Sequence, residues 1–344
     1  MKKVFRFLIS CLFLFLLAGC GTQQEEQPER KETSLFAMGT YIRMTAYGEN
    51  AETALDESSD RIQELEALWS VTEESSEISA ANRSMGEPVP VSEETAELLR
   101  YAVEMAEQTD GAFEPTIYPV VDAWGFTSHE YRIPSGQELP GLLQNVGYEK
   151  IHLEDGRLSL AEGAQLDLGA VGKGFTGDIV AGLLEERGVT SALLDIGGNI
   201  HMVGSRPDGS KWTLGIRNPF VDGRVGILEA ADCAVVTSGG YERYFVGEDG
   251  ERYWHILDPE TGYPAKSGLA SVTIIAQEGK QADILSTALF IMGMENAVSY
   301  WKKYQDFDML LITEDGEIHL SEGIADSFSV DSGYGQQKVH VINR

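Results

Sequence analysis

Cysteine is scarce in this chain of 344 residues. There are three, at positions 11, 20 and 233, and Cys11 and Cys20 both fall at the extreme N-terminus. That excludes an intramolecular disulfide framework, so apolar packing, with or without a metal, has to hold the fold. Cys233 lies in an apolar context, Ala231–Val236, and reads as a small core residue. Positive charge is also scarce. Lys and Arg together number 26 against 55 Asp and Glu, for a formal net charge of −29. A surface that acidic argues against nucleic acid or an anionic membrane face as a partner. Any phosphate site must then supply its own positive charge from a lysine, a helix terminus or a metal. No internal repeat and no second linker are visible. Of the six histidines, the five other than His255 show no metal-ligand spacing.

A long apolar run occurs at the N-terminus, and it is short for a membrane span. Lys2, Lys3 and Arg6 precede Phe7–Leu17, and Leu17-Ala18-Gly19-Cys20 follows. A span needs about 20 apolar residues, whereas a basic start, a short apolar stretch and small residues before a cysteine mark a secretory signal. The pattern resembles a bacterial lipobox. We therefore expect residues 1–19 to be a signal peptide and Cys20 to become the lipidated first residue, at the extracytoplasmic face of the cell membrane. Residues 20–33, polar and unpatterned, are expected as a flexible tether, and 34–344 as the folded body.

Within that body, helical periodicity predicts helices over 51–69 and 93–109, the second capped by Ser92. Tyr41–Tyr47 alternates as a strand, and a Ser/Glu-rich loop is expected up to Asn82. Asp155-Gly156 and Glu314-Asp315-Gly316 mark hairpins. Strands are expected at 191–196, 212–216, 234–237, 252–257 and 271–276, with a helix at 281–297. Helices and strands mix without a sustained βαβ rhythm, which favours α+β.

The most concentrated signal is Asp167–Asp178, DLGAVGKGFTGD, read as a glycine-rich turn feeding a helix from Phe175 to Arg187. Backbone N–H groups at such a helix start form a phosphate cradle. A P-loop is excluded because Gly174 follows Lys173 and Asp167 stands five before Gly172. Gly172–Gly177 is a literal G-x-G-x-x-G, with Asp195 eighteen residues beyond Gly177 where a ribose-binding acid would lie. Against that, the preceding strand is short and charged and a lysine sits in the turn. A glycine-rich helix start with no ligand is the third reading.

Two further features bear on the choice. Asp283 and Thr287 are spaced i, i+4 among apolar residues and share one helix face. They are either a hard oxygen pair suited to Mg²⁺ or a capping detail. His255 follows a strand and enters the turn Asp258–Pro264, as a general base near neutral pH or as a half-buried histidine bonded to backbone.

Read together, several segments resemble the FAD:protein FMN transferases, the ApbE-like flavin transferases. They are Met38-Gly39-Thr40, Asp110–Thr116, Asp167–Gly174, Asp195–Asn199, Ser238-Gly239 with Tyr241–Arg243, His255–Pro259 with Thr261-Gly262, and Ala282-Asp283 with Ser286–Ala288. The resemblance implies a single mixed α/β body of the T-fold type with a glycine-rich flavin-phosphate loop. It implies Mg²⁺, with FAD as substrate. The FMN part would pass to a Thr or Ser hydroxyl of exported or membrane redox proteins, and AMP would leave. On the matching positions, Asp283, Thr287 and the Ala170 carbonyl would hold the metal. Lys173 and Asp167 would contact FAD, Met38, Ala112, Phe113, Glu114 and Leu257 would line its pocket, and His255 would be the base. Two positions depart from the pattern: Glu114 stands where the family usually has Asp, and Thr72, also expected to contact FAD, stands where an aromatic neighbour of the ligand is often found. The competing functions are a lipoprotein that binds a small solute without chemistry and an exported Rossmann-type oxidoreductase. A binding protein needs no metal-plus-base set, so Asp283, Thr287 and His255 discriminate.

Overall fold

The computed structural model describes residues 28–335 and 338–344. The expected signal, Cys20 and the tether up to residue 27 lie outside the described residues.

In chain order the first elements are β1 (Arg30–Ala37), β2 (Thr40–Tyr47), α1 (Ala51–Trp69), α2 (Glu77–Arg83), β3 (Val89–Pro90) and α3 (Glu93–Gln108). Two short helices, α4 (Tyr118–Ala123) and α5 (Leu139–Leu143), precede β4 (Ile151–Glu154) and β5 (Arg157–Leu160). The middle of the chain holds α6 (Gly172–Glu186), β6 (Ala192–Ile196), β7 (Asn199–Val203), β8 (Trp212–Arg217), β9 (Arg224–Ala230) and β10 (Ala234–Gly239). The rest comprises β11 (Tyr244–Val246), β12 (Arg252–Trp254), β13 (Leu269–Ala276), α7 (Gly279–Tyr304), β14 (Asp308–Thr313), β15 (Ile318–Ser321), β16 (Phe328–Val330) and β17 (Val339–Ile342).

Nine strands form one sheet in the order β1-β2-β6-β7-β10-β13-β14-β15-β17. Neighbours are antiparallel except β15 and β17, which run parallel. This is the α+β arrangement expected. Because strand side chains alternate between faces, Val236, Met309 and Leu311 pack with α7, while Val235, Leu310 and Ile312 pack with β8 and β9. The sheet is thus buried between a helical layer of α1, α6 and α7 and the small sheet β16-β9-β8.

Four expectations change. The tether was expected to reach residue 33, but β1 begins at Arg30 and pairs with Tyr47. An edge strand needs only one-sided alternation, and its charges are matched, with Lys31 2.9 Å from both Glu29 and Glu52. The Ser/Glu loop contains α2, nucleated by Ser76, whose hydroxyl accepts from Ser79 N–H at 2.9 Å. The glycine-rich turn is shorter than expected: it is confined to residues 169–171, and α6 starts at Gly172, so Gly172, Lys173 and Gly174 are its first turn. The strand expected over 252–257 stops at Trp254, leaving His255 just beyond it.

Two segments singled out for their glycines are hairpin tips. Met38-Gly39 joins β1 to β2, and Gly197-Gly198 joins β6 to β7. Each pair has positive φ at both positions, at 52° and 68° and at 61° and 95°, which is the two-residue turn matched to strand twist. Since β2 pairs with β6, the two tips lie side by side, and a Cβ on Gly197 would overlap Thr40.

Candidate active site

The site is built where the starts of α6 and α7 meet the end of β10. Asp283, 3% exposed, presents its two oxygens in different directions. Oδ2 accepts the Gly174 N–H at 2.8 Å, and Oδ1 lies 3.8 Å from the Lys173 ammonium. A buried carboxylate needs such partners. Lys173 also donates to the Gly169 carbonyl at 2.9 Å. Since Gly174 N–H turns to Asp283, no hydrogen bond among the described residues reaches the Ala170 carbonyl.

Thr287, one turn beyond Asp283, is tied to β10. Its hydroxyl is 3.2 Å from Ser238 Oγ, which is 2.8 Å from Ser286 Oγ. Ser286 in turn donates to the Asp283 carbonyl at 2.9 Å. Ser238 and Ser286 lay in recognised segments, but their sequence spacing of 48 residues gave no sign that they would meet.

His255 is half-buried, and its Nδ1 lies 3.1 Å from the Arg243 carbonyl, an acceptor. Nδ1 therefore carries the proton, and Nε2 is left with the free lone pair. Burial, and then the Arg243 charge, push its pKa down to about 4. The ring is neutral at physiological pH, as a general base requires. Arg243, another residue with no catalytic signal of its own in the sequence, is held by a 2.9 Å bond to the Phe126 carbonyl. Burial raises Asp167, while Gly169 N–H at 2.7 Å and the charges of Arg243 and Lys173 oppose that rise. Lys173 and Arg243 act on both Asp167 and His255, which places these four in one electrostatic neighbourhood.

The remaining expected residues fall around this set in different ways. Met38, at the hairpin tip, donates its N–H to Glu66 at 2.6 Å, and its sulfur is 3.5 Å from the Thr176 hydroxyl on α6. Met38, Ala112 and Ala170 are half-buried against the main core, in which Phe113 is buried. Leu257 is buried with Trp124 and Phe126 beneath His255. Glu114 spends both oxygens locally: Oε1 accepts from Thr116 N–H (2.9 Å) and hydroxyl (2.6 Å), and Oε2 from Tyr148 N–H (2.9 Å). Its longer arm serves as a buried brace, and burial raises its pKa against those three bonds. Thr72 is exposed, and its polar contacts go only to Ser70.

The dinucleotide-fold alternative fails on this geometry. The strand after α6, β6, runs antiparallel to both its neighbours, and no strand precedes the glycines directly. Asp195 accepts from Gly198 N–H at 2.9 Å and braces its own hairpin. The glycines face protein: a Cβ on Gly174 would collide with Gly279 and Asp283, and one on Gly177 with His201. Elsewhere, a cleft of about 370 Å³ near Lys211, Cys233 and Arg344 lies at the far end of β10 and holds none of the site residues. Burial pushes the Cys233 thiol up to about 11, which favours the protonated thiol over the nucleophilic thiolate.

The donor set suits a hard divalent cation. No group of three or more His, Cys, Asp or Glu side chains is placed to hold a metal among the described residues. One carboxylate, one hydroxyl and a free carbonyl fit Mg²⁺, which is commonly held by few protein ligands together with substrate phosphates.

Comparison with known proteins follows the same lines. The profile described as the ApbE family matches residues 38–311. The chain is 34% identical over 318 residues to a protein of Treponema pallidum named FAD:protein FMN transferase, covering 86% of this chain and 88% of that one. It is 33% identical to a protein of the same name from Klebsiella pneumoniae, covering 88% and 95%. Among solved structures, the ApbE protein of Thermotoga maritima superposes with a TM-score of 0.82 at 33% identity, covering 87% of this chain and 99% of that one. The flavin transferase ApbE of Vibrio cholerae gives 0.79 at 30%, with the same coverage.

Proposed function

The chain belongs to the ApbE family, and from that premise we propose that it transfers the FMN part of FAD to a Thr or Ser hydroxyl of acceptor proteins, releasing AMP. The flavin transferase identity of its relatives supports the transfer and FAD as substrate. The observation that carries the finer reading is Asp283, a buried carboxylate shared between the start of α6 and Lys173, with Thr287 one turn away.

In this reading Asp283, Thr287 and the Ala170 carbonyl would hold Mg²⁺, which would neutralise charge on the pyrophosphate. Lys173 stands beside Asp283 with its ammonium available to a phosphate oxygen. His255 Nε2 takes the proton of the acceptor hydroxyl. The hydroxyl oxygen forms a bond to the FMN phosphorus as the bond to the bridging oxygen breaks, and AMP leaves with that electron pair. Positioning and charge neutralisation do most of the work in such transfers. The Arg243 carbonyl fixes the His255 tautomer, so the lone pair, not the N–H, faces outward.

The acceptors are exported or membrane redox proteins. Cys20, lipidated, holds the enzyme at the extracytoplasmic face of the cell membrane. The sequence around Cys20 supports that placement, and no helix among the described residues is long and apolar enough to cross a membrane.

The test is incubation of the protein with FAD, Mg²⁺ and an acceptor modified by a related enzyme. AMP release and acid-stable flavin on the acceptor are expected. Absence of AMP with every divalent metal tried would sink the transferase reading.

A further inference from the structure

One buried titratable side chain takes no part in the chemistry above. His201, on β7, is 3% exposed, and its Nε2 has no hydrogen-bond partner among the described residues. Its ring fills the space left by two glycines on two helices: a Cβ on Gly177 of α6 or on Gly279 of α7 would overlap it. Its Nδ1 lies 3.7 Å from Asp178 Oδ1. An apolar ring of that size would fill the gap without stranding a polar nitrogen, so packing alone does not account for a histidine here.

Asp178 explains what the ring leans on. Its carboxylate accepts Gly279 N–H at 2.5 Å and Lys280 N–H at 2.9 Å, while Glu278 at the N-cap position makes no side-chain cap. Asp178 is therefore the cap of α7, supplied by α6. One turn along, the traffic reverses and Asp283 of α7 accepts from Gly174 of α6. The two helices are thus tied at 178–279 and at 174–283, with His201 wedged beneath the first tie.

We infer that His201 and Asp178 are positioning residues that fix the register of α7 against α6, and so set how well Asp283 meets a divalent cation beside Lys173. Neither touches the reacting groups. The inference rests on Asp283 being the metal ligand, and its test separates the two ideas.

The probe is Mn²⁺ binding by the full chain with FAD present, followed by electron paramagnetic resonance, alongside kcat and KM for Mg²⁺ and a melting curve. Asp178→Asn keeps the size of the side chain but offers one acceptor oxygen for two N–H groups. It should raise the Mn²⁺ dissociation constant about tenfold, roughly 1.4 kcal/mol, and KM for Mg²⁺ in parallel, with kcat at saturating metal within about twofold. His201→Leu should shift the same constants in the same direction. His201→Gln, which keeps a polar side chain beside Asp178, should shift them less than His201→Leu. Wild-type Mn²⁺ affinity in both Asp178→Asn and His201→Leu, with affinity lost in Asp283→Ala, overturns the positioning role and leaves the metal site standing. Unchanged Mn²⁺ affinity in Asp283→Ala overturns both. Should His201→Leu not fold, Asp178→Asn decides by the same measure.

Discussion

Gly174→Ala tests whether the glycine-rich stretch serves protein packing or a nucleotide. The new methyl would meet the Gly279 carbonyl and the Asp283 Cβ, and a backbone carbonyl cannot swing aside as a side-chain tip can. α6 and α7 must part, at about 1–3 kcal/mol for overpacking. Parting also weakens the Gly174 N–H bond to the buried Asp283 carboxylate, at 2.8 Å in the folded protein. A bond to a charged group contributes about 1.5–3 kcal/mol. Alanine recovers up to about 1 kcal/mol of helix propensity. The balance is a loss of about 1.5–5 kcal/mol, or about 2–8 °C in melting temperature for a chain of this size. Gly172→Ala is the control. It sits two residues earlier in the same turn with nothing within 4 Å of its Cβ direction and no positive φ. Its melting temperature should hold or rise slightly, so any effect on FAD affinity would report on the ligand alone. Calorimetric or fluorescence melts of the two variants decide. Equal melting temperatures would refute the packing assignment.

His255→Ala should slow transfer by about 10²–10⁴-fold while FAD binding, read by flavin fluorescence, is retained; lost binding would move the ring from base to pocket. With its pKa depressed to about 4, His255 stays neutral through the physiological range, so kcat/KM should show no His255 limb near pH 6.5 and should fall only towards pH 4. A break near 6.5 that vanishes in His255→Gln would refute this. The same depression means the folded state resists protonation, so this contribution to stability is whole above pH 6.5 and is lost as pH falls towards 4; urea titrations of His255→Gln should show a shallower acid slope. Asp283→Ala should abolish metal-dependent AMP release while circular dichroism shows a folded protein, and unchanged activity would place the metal elsewhere. Thr287→Val should raise the Mg²⁺ requirement and Thr287→Ser restore it, since the hydroxyl meets Ser238 and, on the proposed reading, would also ligate the cation.

What the sequence revealed of the fold follows how local each signal is. The periodicity of α1 and α3, the Ser92 cap and the hairpin at Asp155-Gly156 are decided within a few residues, and all appear as expected. The strand at Arg30 was hidden because its stability comes from pairing with β2 and from Lys31 meeting Glu52 across the chain. At seven residues, α2 was too short to show a period. The site divides in the same way. Asp283 and Thr287 were visible because helical spacing is local. The contacts that give them meaning were not, because Gly174 lies 109 residues from Asp283 and Ser238 49 from Thr287.

The glycine-rich stretch shows why letters alone mislead here. A dinucleotide fingerprint has glycines because a phosphate must come close to backbone. In this chain Gly174 and Gly177 are glycine because other protein groups must come close: the Gly279 carbonyl and Asp283 at the first, the His201 ring at the second. The physical requirement, a missing Cβ at a close approach, is the same, and so the written pattern is the same. What differs is the approaching group, and only the fold reveals it. The consequence for chemistry is indirect. Packing α7 this tightly onto the first turn of α6 brings Asp283 within reach of Lys173 and turns Gly174 N–H away from the Ala170 carbonyl. On the proposed reading the glycines would serve that chemistry by closing two helices on each other, which brings Asp283 beside Lys173, while the lysine, the carboxylate and the carbonyl would meet the ligand.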